Sequence, residues 1–118
     1  MGEPYAQAWA TAREEARLDD DQAQLVDDVV KTLEGRAADV DHALAEAAER
    51  WEISRLAATD RAVLRAAVGE LIGRPGTPAR VILNEAIEIA KRFGSEESGR
   101  FVNGVLDRVA RTVRPGEL

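Results

Sequence analysis

The amino-acid sequence predicts an all-α fold, a compact bundle of about six helices. Alanine, leucine, glutamate and arginine dominate, runs of β-branched residues are short, and turn signals recur roughly every 15 to 20 residues. These residues favour helices, and this spacing is typical of helices rather than strands. A chain of 118 residues can build one hydrophobic core. We therefore expect residues 1–118 to form a single helical domain.

The amino-terminal half predicts three helices. The first runs from Pro4 to about Arg17, since proline in the first helical turn loses no hydrogen bond. The second begins at residues 19–21, three aspartates that supply capping oxygens and favourable charge, and Gly35 ends it in a left-handed C-cap. The third covers about residues 36–51. Apolar residues recur at helical spacing on the second and third helices, at Leu25, Val26, Val29, Val30, Leu33, Val40, Leu44, Ala47, Ala48 and Trp51.

Turn signals divide the carboxy-terminal half. Thr59 is the predicted N-cap of a fourth helix that ends near Ile72. Residues 73–78, which are Gly-Arg-Pro-Gly-Thr-Pro, form the clearest break in the chain. At the end of this break, Thr77 is the predicted N-cap of a fifth helix and Pro78 its first helical residue.

The last two helices have contrasting patterns. The fifth, over about residues 78–93, is apolar on more than one side, so we predict that it is the central, most buried helix. Gly94 ends it, and Ser95 caps the last helix. The apolar residues of the fifth helix are Val81, Ile82, Ile87, Ile89, Ala90 and Phe93. The predicted inward-facing residues of the last helix are Phe101, Val102, Val105, Leu106, Val109 and Val113.

Charge is distributed unevenly along the chain, although the net charge is −6. Residues 1–52 contain 14 acidic and 5 basic residues, whereas residues 53–118 contain 8 acidic and 11 basic residues. A surface that binds a polyanion must therefore come mainly from the second half. The alternative is a solvated acidic face beside a mildly basic one.

The sequence predicts neither an enzyme nor a cofactor or metal site. It has no cysteine, and its one histidine, His42, has no residue beside it that would activate it, so we expect a surface or partly packed side chain. The glycines show no phosphate-loop spacing. No apolar run approaches the roughly 20 residues of a membrane helix, and the amino terminus does not resemble a signal peptide, so we expect a cytoplasmic protein with no membrane partner.

Two longer motifs exceed what composition explains. Residues 55–65 read RLAATDRAVLR, with Glu-Leu at 70–71, and residues 82–108 read ILNEAIEIAKRFGSEESGRFVNGVLDR. In order and spacing, both are similar to the carboxy-terminal signature of the NusB family, and Val-Arg-Pro at 113–115 resembles the end of many members. The resemblance covers about residues 51–115. It implies an all-helical protein that acts in transcription antitermination.

The resemblance also implies an RNA ligand. Members of the family bind boxA-type single-stranded RNA, and the matching positions place Glu97, Ser98, Arg100 and Phe101 on the RNA side. An aromatic ring and a guanidinium at the start of a helix could stack on an unpaired base and bind phosphate. From the pattern alone, a core phenylalanine beside a solvated arginine is an equal alternative. We include Asn103 in the RNA side, although its amide could instead satisfy helix ends or loop carbonyls.

The implied protein partner is NusE, a small-subunit ribosomal protein that joins the RNA polymerase elongation complex. The matching positions place Asp60, with Glu70 nearby, on the surface that faces NusE. An acidic patch suits a basic ribosomal protein. The alternative is that Asp60 only supplies a favourable charge to the first turn of its helix.

The amino-terminal region departs from the family pattern. NusB proteins usually open with an arginine-rich amphipathic helix, whereas the first 50 residues here are strongly acidic. The lost phosphate contacts would lower RNA affinity. Apolar surface would be exposed on the helices that start near Gln7 and Leu25, which predicts self-association into a homodimer. Two other functions stay open: a helical protein-interaction module that has lost RNA binding, and the RNA-docking module of a ribosomal-RNA cytosine methyltransferase.

The last helix contains a glycine that demands a reason. Gly104 lies in its middle, where glycine costs roughly 1 kcal/mol relative to alanine. We therefore predict a packing reason for this glycine, such as the close approach of a neighbouring helix.

Overall fold

The computed structural model describes residues 4–15, 17–48 and 57–118, and every regular element in these ranges is an α-helix. This confirms the predicted all-α fold. The six helices are α1 Pro4–Glu15, α2 Asp20–Gly35, α3 Ala37–Ala47, α4 Ala58–Gly73, α5 Ala79–Phe93 and α6 Glu96–Val113. The predictions for Trp51 and for motif residues 55–56 lie outside the described residues. None of the six helices is long and apolar enough to cross a membrane.

The start of α2 is capped as the acidic triplet predicts. The Asp19 carboxylate accepts a hydrogen bond from the Gln22 backbone N–H at 2.7 Å, and the Gln22 side chain accepts one from the Asp19 N–H at 3.0 Å. This reciprocal capping box satisfies two backbone donors that the helix itself cannot pair. The start of α2 is therefore fixed by two residues that are close in sequence.

The predicted left-handed cap at Gly35 is wrong. Gly35 is the last residue of α2, and among the described residues only Gly116 has a positive φ, of 84°. The chain continues directly into α3, since the Arg36 N–H still donates to the Thr32 carbonyl at 2.8 Å. No reversal of the backbone is needed between two helices that follow each other so closely.

The starts of α4 and α5 also differ from prediction. The N-cap of α4 is Ala57, so Thr59 lies within the first turn and is not the cap. The N-cap of α5 is Pro78 rather than Thr77, and α5 begins one residue later than predicted. Neither helix has a cap from its own N-cap side chain. A carboxylate from the end of the chain takes that role for α5.

Helix α4 lies at the centre of the described bundle and packs against α2, α3, α5 and α6. Its core side chains, Leu64, Ala67, Val68 and Leu71, are at most 4% exposed. The inward residues predicted for α6 from Val102 to Val109 are buried with them. Burial of this apolar surface supplies the main driving force for folding.

The prediction that α5 is the most buried helix is wrong. Val81, Ile89 and Phe93 are 44%, 45% and 67% exposed, although the opposite face of α5 is buried. Helix α5 packs mainly on α4 and α6, so it lies at the edge of the described bundle and has one buried side. Its apolar pattern therefore marks a core face together with an exposed apolar surface.

The carboxy-terminal end of α6 is held by what we name the Arg114–Glu117 cluster. Arg114 is 8% exposed, and its guanidinium donates to the carbonyls of Leu71 (3.0 Å), Arg74 (2.7 Å) and Thr77 and to the carboxylate of Glu117 (3.0 Å). The Glu117 carboxylate in turn accepts a hydrogen bond from the Ala79 N–H at 2.6 Å. The cluster therefore joins the end of α4, the start of α5 and the end of α6.

Candidate nucleic-acid interface

The α5–α6 junction turns the chain within two residues. Phe93 ends α5, and the Ser95 side chain caps α6 by accepting a hydrogen bond from the Ser98 N–H at 3.1 Å, which confirms the predicted cap. A Cβ atom on Gly94 would lie 2.6 Å from the Ser98 hydroxyl oxygen and 2.8 Å from the Ala90 carbonyl oxygen. Glycine therefore allows the two helices to meet this closely.

A hydrogen bond links α4 to the first turn of α6. The Ser98 hydroxyl donates to one carboxylate oxygen of Asp60 at 3.2 Å. Asp60 is only 8% exposed, and its second carboxylate oxygen, Oδ1, is buried with no hydrogen-bond partner in the part of the chain that the structure describes. Ser98 from the predicted RNA side and Asp60 from the predicted partner side are therefore in direct contact.

The other predicted RNA-side residues differ in exposure. Glu97, Arg100 and Asn103 are exposed on α6. Phe101 is half-buried and packs against the hydrophobic core, so only part of its ring faces solvent. Phe101 is therefore packed on the core, as one alternative stated, and partly accessible, as the other alternative requires.

Sequence reasoning missed the exposed ring of Phe93. It counted Phe93 among the apolar residues of a helix predicted to be buried, yet this side chain is 67% exposed at the end of that helix, beside the junction. Two cations precede it, the exposed Lys91 and Arg92, and the Lys91 ammonium lies 4.0 Å from the Glu96 carboxylate. The available signal was the Gly94 turn, which ends the helix directly after this ring.

Helices α4 and α5 enclose a shallow groove of about 250 Å³. Glu70 and Glu85 line it together with apolar side chains, those of Ala62, Val63, Ala66, Ala67, Ile82, Ala86 and Ile89. Burial raises the pKa of Glu70, and the Glu85 carboxylate raises it further, whereas Arg74 and Arg114 act in the opposite direction. Glu70 is ten residues from Asp60, roughly 15 Å along α4.

In the described residues, no group of three or more His, Cys, Asp or Glu side chains could hold a metal ion. The His42 side chain is 75% exposed and lies 3.1 Å from the Glu46 carboxylate, which confirms the expected surface position.

Gly104 contradicts its predicted role. It is exposed in the middle of α6, and a Cβ atom placed on it would meet nothing within 4 Å. No neighbouring helix of the described chain requires a glycine there, so the predicted close helix packing is wrong. The cost of this glycine to the helix is not offset by any contact that it permits within the described chain.

The structure defines the class of protein as an all-helical bundle with a core centred on α4 and a tight α5–α6 junction. Its exposed aromatic and cationic groups lie at one end of the last helix. A solved structure of T. maritima NusB has the same fold, with a TM-score of 0.74 and 32% identity over 92% of this chain and 84% of that chain. The sequence model of the NusB family matches residues 3–111. This chain belongs to the NusB family.

Curated relatives agree with this membership. A protein of Sorangium cellulosum is 47% identical over 88% of this chain and 74% of its own length. A protein of Myxococcus xanthus is 38% identical over 92% of this chain and 77% of its own length. Both are named transcription antitermination protein NusB. That name describes a transcription factor, which agrees at the level of the family with the expectation that this chain is not an enzyme.

Proposed function

We propose that this protein is a transcription antitermination factor that binds boxA-type single-stranded RNA together with the ribosomal protein NusE. Membership of the NusB family and the names of its relatives support this role. The observation that carries the RNA assignment is the α5–α6 junction, where an exposed aromatic ring, Phe93, lies near the start of the helix that presents Arg100 and Phe101.

The junction offers the two kinds of contact that single-stranded RNA uses. Unpaired bases stack on aromatic rings, and Phe93 and the accessible part of Phe101 would supply two such rings. The Arg100 guanidinium would neutralise a phosphate. Both Glu97 and Asn103 are exposed on the same helix. The Glu97 carboxylate would accept hydrogen bonds from base edges, and the Asn103 amide would accept or donate them.

The partner assignment rests on Asp60 and on the α4–α5 groove. The buried Asp60 Oδ1 atom has no donor in the described chain, and leaving a buried acceptor unpaired costs free energy. The negative charge of this carboxylate would attract a lysine or arginine of a basic protein. Glu70 and Glu85 beside the apolar groove would attract the same kind of partner.

A titration of labelled boxA-type RNA, followed by fluorescence anisotropy with and without NusE, tests the proposal. We expect preference for this RNA over a scrambled sequence of the same length. Arg100→Ala should weaken binding and lower the salt dependence by about one counterion, because one phosphate contact is lost. Arg36→Ala is the matched control, since Arg36 is also exposed but lines a cleft with Thr112 and Pro115 at the far end of α6.

Equal binding of the boxA-type and scrambled RNAs, or equal effects of the two arginine substitutions, would contradict the RNA assignment. The partner surface has its own test, because Asp60→Asn removes the charge while keeping the shape of the side chain. Calorimetry should show weaker association with NusE for this variant. An unchanged affinity for NusE would remove Asp60 from the partner surface. Retained NusE binding with no RNA binding would leave a protein-interaction module.

A further inference from the structure

Gly104 is placed where glycine brings no advantage to the free protein. It lies within α6, eight residues from the first residue of that helix, and the backbone there is ordinary right-handed helix. Its position is open to solvent on the outer side of the bundle. Neither a turn, nor a positive φ, nor a helix contact of the described chain explains a residue that weakens helices.

Cationic side chains flank this open backbone. Arg100 and Arg108 lie one turn before and one turn after Gly104 on the same face, and both are exposed. Their Cα atoms are separated by about 12 Å along the helix axis, with only the glycine between them on that line. Among the described residues, the Arg108 guanidinium makes one long contact, 3.4 Å to the Ala47 carbonyl, so most of its donors are not used there.

Acidic groups on this face are few. Glu97 lies at the start of α6, where a carboxylate is favourable to the helix. Asp107 is half-buried and accepts a hydrogen bond from Arg111 at 2.9 Å, so its charge is largely neutralised. A polyanion that follows α6 from the junction therefore meets alternating guanidinium groups and a gap without a side chain.

We propose that Gly104 is the point where the sugar–phosphate backbone of the bound RNA crosses α6 in direct contact with the helix backbone. The strand would leave the base-binding junction beside Phe101, pass over Gly104, and place phosphates near Arg100 and Arg108. This inference rests on the proposed RNA-binding function and adds a path for the strand. The absence of a Cβ atom allows the close approach, and the flanking arginines supply the complementary charge.

Substitution of Gly104 separates folding from binding. Gly104→Ala meets no atom within 4 Å in the free protein, so it should raise Tm by about 3–5 °C through better helix propensity. The same variant should bind boxA-type RNA at least fivefold more weakly, and Gly104→Gln at least 20-fold more weakly. Gly35→Ala is the matched control, because Gly35 is also exposed and a Cβ atom added there would also meet nothing within 4 Å. It should leave RNA binding unchanged.

Anisotropy titrations of these variants with boxA-type RNA test the proposed crossing. More stable Gly104 variants with weaker RNA binding would support the crossing, as would a smaller salt dependence for Arg108→Ala. Full RNA affinity in Gly104→Gln would overturn it while leaving the RNA function in place. If the Gly104 variants lost NusE binding but kept full RNA affinity, the proposed crossing would also be overturned, because a protein rather than RNA would occupy this face. Absence of RNA binding by the unsubstituted protein would instead contradict the proposed function itself.

Discussion

The two ends of α6 use their polar groups differently. At the carboxy-terminal end, the buried Arg114 donates to three carbonyls and to the Glu117 carboxylate, so a costly buried charge is paired with four acceptors. At the amino-terminal end, one oxygen of the buried Asp60 has no partner in the described chain, and the Phe93 ring and Arg100 are exposed. One end of the helix thus stabilises the fold, and the other retains unsatisfied groups that suit a ligand.

The largest expected effect comes from the stabilising end. Arg114→Ala leaves three carbonyls and Glu117 without their donor, so it should lower the free energy of unfolding by about 3 kcal/mol. Urea unfolding followed by circular dichroism measures this change. Arg111→Ala is the control, because its exposed i,i+4 pair with Asp107 should contribute much less to stability. Equal effects of the two substitutions would show that the cluster does not hold the fold.

The two phenylalanines sharpen the contrast at the other end. Phe93→Ala should change stability by less than about 0.5 kcal/mol, since the ring is mostly exposed, yet weaken RNA binding by about 1–3 kcal/mol. Phe101→Ala should reduce both, because Phe101 also packs against the core. Unfolding curves and RNA titrations on the same preparations test this. Loss of stability without loss of RNA binding in both variants would contradict the stacking role.

The smallest effect depends on pH and concerns Glu117. The Ala79 N–H and then Arg114 lower the pKa of this carboxyl below its ordinary value of 4.5, although partial desolvation opposes them. A carboxylate with a lowered folded-state pKa contributes stability above its unfolded pKa and loses it as the pH falls through the folded one. Glu117→Gln should therefore be less stable than the unsubstituted protein at pH 7, and the two should converge once the pH has fallen below the lowered folded-state pKa of Glu117. Parallel acid unfolding curves would contradict this.

Periodicity and local capping predicted much of the fold. The apolar spacing indicated six helices, and Asp19 and Ser95 cap α2 and α6 because their partners lie three residues away. The cap predicted at Thr59 was wrong because the N-cap of α4 is Ala57. The cap predicted at Thr77 was wrong because α5 is capped by Glu117, 38 residues from Ala79. A local pattern cannot identify a cap that arrives from the other end of the chain.

The candidate site was less accessible to prediction than the fold. The resemblance to NusB selected Asp60 and Ser98 separately, but their contact joins residues 38 positions apart and depends on how α4 and α6 pack. The burial of α5 was overestimated because an apolar pattern shows which residues are hydrophobic but not how many helices pack around them. The same limit concealed the exposure of Phe93 and the open position of Gly104.

The Arg114–Glu117 cluster has a consequence for the timing of folding. It ties the end of α4 and the start of α5 to side chains about 40 residues later in the sequence. While a ribosome is still adding those residues, the nascent chain has its helices but lacks the bonds that fasten them together. We expect the bundle to lock only once residue 117 has emerged from the exit tunnel, so the protein reaches its full stability later than its individual helices form.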